Sequence, residues 1–173
     1  EKIAVGRWAK GKIDLDAPVI DNLRAVAQGT GKDIRDLVVV VLDRPRNSQL
    51  IQQVKAAGAR LRLISDGDVA PAIATGINEE GPDIVWGIGG APEGVLSAAA
   101  LKCLDGEMQA RLKPMTPAEL DRCHSMEITN PNRLLTMEDL ACGEEVVCGV
   151  TGITDGDLLK GVRYRGNEVR TNS

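Results

Sequence analysis

Apolar residues in this chain come in short runs, each followed by a polar loop and then by apolar positions at helical spacing. The clearest run is Val38-Val39-Val40-Val41-Leu42, continuous and mostly β-branched. It predicts a strand buried on both faces, because a half-exposed strand would alternate. Residues 60–64 predict a second strand and 83–88 a third. Between them, Leu50, Ile51 and Val54 lay a helical stripe over 48–57, stopped by Gly58, and 69–75 predict a further helix. Beyond the third strand, Val95-Leu96-Ser97-Ala98-Ala99-Ala100-Leu101 opens a long Ala-rich helix.

Upstream, a short Ile3-Ala4-Val5 run reads as a strand end. Ile20, Leu23, Val26 and Ala27 recur at helical spacing behind Asp16 as N-cap and Pro18 as an early-helix proline, and Gly29 to Gly31 close the pattern. Ile34 and Leu37 predict a short turn or helix. Downstream, 107–112 predict a strand, and Thr116-Pro117-Ala118-Glu119 has the layout of a capping box opening a helix towards Met126. A shorter helix is expected from Thr136, a strand over 146–150, and a hairpin turn at Tyr164-Arg165-Gly166-Asn167-Glu168. With no linker or repeat, residues 1–173 read as a single α/β domain.

Strand, loop and helix thus recur three times in succession. Successive β-α units predict a parallel sheet with helices packed on it, and loops that emerge together at the strands' carboxyl ends. The loops differ in chemistry. The first, Asp43-Arg44-Pro45-Arg46-Asn47, is basic, and two guanidinium groups at such an edge suit phosphate through bidentate hydrogen bonds. A solvated basic turn is the alternative. The second, Ser65-Asp66-Gly67-Asp68, pairs two carboxylates that can accept from sugar hydroxyls or help hold a cation. Helix capping by Asp68 explains one of them equally well.

The third loop, Gly87-Ile88-Gly89-Gly90-Ala91-Pro92-Glu93-Gly94, places glycines and one acid before the Ala-rich helix. Glycine permits positive φ and close backbone approach, and the helix start offers free N–H groups to an anion. The stretch lacks the Lys-Ser/Thr of a nucleotide P-loop and is not a G-x-G-x-x-G fingerprint. Packing alone also places glycines at such turns. Glu93 beside an anion site suggests a metal between the two. Convergence of the loops predicts a site for a phosphorylated, hydroxyl-rich small molecule.

Composition narrows the field. The chain has 173 residues, is 43% hydrophobic and carries a formal charge of −4, which fits a soluble globular domain rather than a general nucleic-acid binder. Phe is absent, so Val, Ile, Leu and Ala must build the core. No apolar run is long enough for a bilayer and no signal peptide opens the chain, which points to the cytoplasm. The four cysteines, Cys103, Cys123, Cys142 and Cys148, form no C-x-x-C, and His124 is the lone histidine. Buried, reduced thiols are the expectation, with a Cys142–Cys148 pair as the alternative. Glu1 is not an initiator Met and the chain stops within a strand-like stretch, as a portion of a longer protein would.

Taken together, Leu-Asp-Arg-Pro-Arg at 42–46, Ile-Ser-Asp-Gly-Asp-Val-Ala at 64–70 and Gly-Ile-Gly-Gly-Ala-Pro-Glu-Gly at 87–94 resemble the class II fructose-1,6-bisphosphatases. Ala-Leu-Lys-Cys-Leu-Asp-Gly-Glu-Met-Gln at 100–109 and Thr-Gly-Ile-Thr-Asp-Gly-Asp-Leu-Leu at 151–159 extend the match. The resemblance extends to the cyanobacterial enzymes that also act on sedoheptulose 1,7-bisphosphate. The resemblance implies the carboxy-terminal layered α/β half of the lithium-sensitive sugar-phosphatase fold. It implies hydrolysis of a sugar 1-phosphate with Mg²⁺ or Mn²⁺ by a homo-oligomer.

Carried over position by position, Arg44, Pro45, Arg46, Asp66, Gly67, Asp68 and Gly90 would contact the substrate, and Glu93 would bind metal. The family's other metal ligands, in a Gly-Glu-Gly-Glu-type motif and an Asp-Pro-x-Asp-Gly-Thr motif, have no counterpart in this sequence. The second Asp-Gly-Asp, at 155–157, is additional in the family and does not replace them. A non-catalytic sugar-phosphate-binding domain is the rival reading.

Overall fold

The structure, a computed structural model, describes residues 1–77, 81–156 and 158–173. Its centre is a five-stranded sheet of β1 (Lys2–Val5), β2 (Val38–Leu42), β3 (Arg60–Ile64), β4 (Ile84–Gly87) and β5 (Glu107–Ala110), in the order β3-β2-β4-β1-β5. The expected parallel core is there: β2 pairs in parallel with β3 and with β4. The sheet as a whole is mixed, however, because β1 lies between β4 and β5 and runs antiparallel to both. The Ile3-Ala4-Val5 run is the carboxyl end of β1, a strand paired on both sides. Its antiparallel direction brings Lys2 opposite Gly87, at the carboxyl edge of the parallel strands.

Helices cover both faces, and the period-2 geometry of the strands sorts the core accordingly. Ile3, Val5, Val39, Val41, Ile84 and Trp86 join Leu23 and Val26 of α1 (Val19–Thr30) and Val54 of α2 (Ser48–Ala56) in one apolar cluster. Ala4, Val40 and Val85 join the other with Ala72 of α3 (Val69–Ile77) and Ala98 and Leu101 of α4 (Ala91–Cys103). The all-apolar pattern of β2 has its reason here: Val39, Val40 and Val41 are all fully buried, alternately against one helical layer and the other. As the composition requires, aliphatic residues dominate both clusters, joined by Trp86 and Met108.

Helix ends follow local chemistry, with one correction. α1 begins after Pro18, not after Asp16, whose carboxylate instead pairs with Arg111. Buried Asn22 fixes the entry, accepting from the Asp14 N–H at 2.8 Å and donating to the Asp14 carbonyl at 2.7 Å. Gly31 (φ 70°) and Gly58 (φ 85°) close the patterns at left-handed φ, as expected. Thr116 and Glu119 form the expected capping box at α5 (Pro117–Ser125), and α6 (Met137–Leu140) follows.

Residues 146–150 form no strand. Val147 is 97% exposed and no sheet edge meets it, so a β-branched run without a partner stays irregular. The hairpin is present, as β6 (Arg163–Arg165) and β7 (Glu168–Arg170) around Gly166. Asp157 of the second Asp-Gly-Asp lies outside the described residues, while Asp155 accepts from the Gly161 N–H at 2.8 Å and pairs with Arg163. The thiols are not buried: Cys103, Cys142 and Cys148 are exposed, Cys123 is half-buried, and all four are free. No helix among the described residues is long and apolar enough to cross a membrane.

Candidate functional site

β2 and β4 are adjacent and parallel, yet α2 after β2 and α4 after β4 pack on opposite faces of the sheet. The chain diverges there and leaves a crevice at the strands' carboxyl ends, the position where open α/β sheets hold ligands. The basic and Gly-rich loops form its two lips.

The basic loop owes its shape to Pro45. Arg44, the residue before proline, is extended (φ −139°, ψ 146°), and Pro45–Asn47 form one 3₁₀ turn. Arg44 and Arg46 are exposed, but Asn47 is only 2% exposed. Its amide donates to the Leu42 carbonyl at 2.9 Å and accepts from the Ile88 N–H at 2.8 Å, joining the ends of β2 and β4. Arg46 Nε donates to the Ile88 carbonyl at 2.9 Å. That bond ties the guanidinium to the Gly-rich loop, and its terminal nitrogens meet no acceptor among the described residues. Among the described residues, Arg44 reaches only the carbonyl of Asp43, at 3.1 Å.

The Gly-rich loop shows why its glycines stand where they do. Gly87 has φ 130°, and a Cβ there would lie 2.9 Å from the Asn47 side chain. Gly90 is ordinary extended backbone (φ −73°, ψ 146°). What matters at Gly89 and Gly90 is proximity: added Cβ atoms would lie 2.6 Å from Asp68 Oδ2 and on top of a Glu93 carboxylate oxygen. Gly90 also caps α4 without a side-chain hydrogen bond, so the first-turn N–H groups have no side-chain acceptor among the described residues.

In the acidic loop, Gly67 (φ 73°) turns the chain into α3. The two carboxylates then part. Asp66 is exposed and pairs with no group among the described residues. Asp68 is buried at the N-cap position of α3: its carbonyl accepts from the Ala72 N–H, while its carboxylate, which accepts from no helix N–H among the described residues, meets Lys2 Nζ at 2.8 Å.

The structure therefore joins Arg46, Asp68, Gly90 and Glu93 through the Gly-rich loop, and it leaves Arg44 and Asp66 on exposed loop positions nearby in sequence. Asn47 and Lys2 are the residues that the motifs alone do not reveal. Cavities of about 360 Å³ and 380 Å³ flank Ile88, the first lined by Lys2, Gly89 and Gly90, the second by Arg46, Asn47 and Gly87. Among the described residues, no group of three His, Cys, Asp or Glu side chains could hold a metal ion. A hard divalent cation takes about six oxygen ligands, so Glu93 alone is not a metal site.

These features define an α/β protein whose ligand crevice lies at a topological switch point, with basic, acidic and helix-start groups along it. The chain belongs to the family described as bacterial fructose-1,6-bisphosphatase, glpX-encoded, which it matches over residues 1–173. Among curated proteins it is 44% identical over 183 residues to a D-fructose 1,6-bisphosphatase class 2/sedoheptulose 1,7-bisphosphatase of Synechococcus sp. (strain JA-2-3B'a(2-13)). That alignment covers 99% of this chain and 53% of the relative. It is 43% identical over 185 residues to the protein of that name from Synechocystis sp. (strain ATCC 27184 / PCC 6803 / Kazusa), covering 100% of the chain and 54% of the relative. The chain spans about half the length of the curated relatives it matches.

Proposed function

We propose that this chain supplies the sugar-phosphate site of a bisphosphatase that hydrolyses the 1-phosphate of fructose 1,6-bisphosphate and of sedoheptulose 1,7-bisphosphate. The observation that carries the reading is the joining of the loops: Asn47 and Arg46 tie the basic loop to Ile88, and Asp68 lies against Gly89. Membership of the family supports it. So does the substrate in the names of the cyanobacterial relatives.

In this reading Arg44 and Arg46 donate to phosphate oxygens, and the uncapped start of α4 adds backbone N–H groups to the same anion. Asp66 accepts from sugar hydroxyls and orients the ring, and Asp68, buried beneath Gly89, contributes to substrate contact through the loop it supports. Gly67 and Gly90 keep the backbone close enough for contact. The reading extends to Mg²⁺ or Mn²⁺, to which Glu93 contributes one oxygen of a set completed outside the described residues. It further extends to a cytoplasmic homo-oligomer and to the carboxy-terminal half of the lithium-sensitive sugar-phosphatase fold.

Calorimetric titration of the full-length protein with fructose 1,6-bisphosphate, beside a phosphate-release assay in Mn²⁺ and in EDTA, tests the proposal. Binding with metal-dependent release is expected, and Glu93→Gln should lower turnover by about a hundredfold or more while leaving binding in EDTA intact. Binding without release would favour a non-catalytic sugar-phosphate-binding protein. Wild-type turnover by Glu93→Gln across a metal titration would remove Glu93 from the metal.

A further inference from the structure

Lys2 is the least expected residue in the molecule. It is 4% exposed, although a lysine is almost never fully buried without a partner. The fold explains how it comes to be there. β1 runs antiparallel to β4, so its first residue lies at the carboxyl edge, opposite Gly87 on one side and Ala110 on the other. Ala4, two residues on and hence on the same face, packs in the α3–α4 cluster, so Lys2 points towards the layer where those helices begin. There its ammonium sits 2.8 Å from Asp68 Oδ2. That contact is a buried ion pair, with both side chains almost fully enclosed.

The partner carboxylate occupies a critical place. Asp68 Oδ2 lies where any side chain on Gly89 would have to be, so the pair supports the Gly-rich loop from below. Lys2 also lines the cavity of about 360 Å³ beside Gly89 and Gly90. A buried negative charge next to an anion site would repel a phosphate, and in a medium of low polarity that repulsion is large.

We propose that Lys2 is a positioning residue for the sugar-phosphate site: it neutralises and orients the Asp68 carboxylate beneath Gly89, so that the acidic and Gly-rich loops hold a phosphorylated sugar together. The inference rests on the sugar-phosphate reading above and adds to it a residue outside every recognisable motif. Lys2 acts through Asp68, not on the reacting atoms.

The test is a double-mutant cycle in the full-length protein with Lys2→Met, Lys2→Arg, Asp68→Asn and Lys2→Met/Asp68→Asn. Fructose 1,6-bisphosphate binding is read by calorimetry in EDTA, and stability by urea midpoint. Lys2→Met should weaken binding about tenfold or more, Lys2→Arg by markedly less, and the double variant should bind no more weakly than Asp68→Asn alone. Should Lys2→Met fail to fold because a lone buried carboxylate remains, the double variant, which buries no charge, still gives the comparison with Asp68→Asn. A double variant weaker than Asp68→Asn by a further factor of about ten would show Lys2 acting independently of Asp68 and overturn the proposal. Stability losses with unchanged binding would overturn it too, leaving Lys2 a packing residue. No binding by the wild-type protein would instead sink the sugar-phosphate reading itself, and this role with it.

Discussion

Asn47 holds the crevice together with one side chain. Its amide bonds to Leu42 and Ile88 are local in space but join residues 41 positions apart. Asn47→Ala should leave the Ile88 N–H without its partner, while the Leu42 carbonyl keeps the Arg44 N–H, at about 1 kcal/mol or more of stability in a urea titration. An unchanged midpoint would mean that water replaces the amide easily. The motif around it was legible in the sequence because Arg44, Pro45 and Arg46 are contiguous and chemically distinctive. Asn47 and Lys2 were not, since the role of each depends on which strand lies alongside. The glycines were half legible: Gly87 has the positive φ expected of the loop, whereas Gly89 and Gly90 are there for proximity. Gly90→Ala should push the Glu93 side chain off its present position, and in the full-length protein metal affinity should fall while sugar-phosphate binding in EDTA changes little. Equal metal affinity would separate Glu93 from the cation.

At the scale of elements, the β-α units were readable because burial on both faces removes polar residues from β2 and leaves the helical stripes intact. β1 was not, because four residues carry too little periodicity to reveal direction or position in the sheet. The expected strand at 146–150 failed for the opposite reason: propensity was present and a pairing edge was not. The downstream loop shows what its acidic residues do. The Arg163 side chain, and next the Gly161 N–H, hold Asp155 below the ordinary carboxylate pKa of 3.8. A depressed folded pKa gives stabilisation that is full above the unfolded value and fades as pH falls through the folded one. Amide protection factors at Gly161 and its neighbours, which correct for the intrinsic pH dependence of exchange, should therefore stay constant down to about pH 4 and fall below it. Protection lost already between pH 7 and 5 would assign the loop's order to some other group.

On the scale of the molecule, one sheet presents basic, acidic and glycine-rich loops at one edge, and the switch between β2 and β4 opens the crevice they line. In the proposed function the chain supplies the grip of a sugar-phosphate site and one carboxylate towards a metal; it spans about half the length of the curated relatives it matches. In that proposal the two arginines of the basic loop hold substrate phosphate. Phosphate release from fructose 1,6-bisphosphate by the full-length protein, wild type beside Arg44→Ala/Arg46→Ala, across substrate concentration in Mn²⁺, tests this role. Metal-dependent release is expected, with KM raised by about tenfold to a hundredfold in the variant and kcat changed far less. Identical KM values would contradict it, and would return Arg44 and Arg46 to the status of a solvated turn.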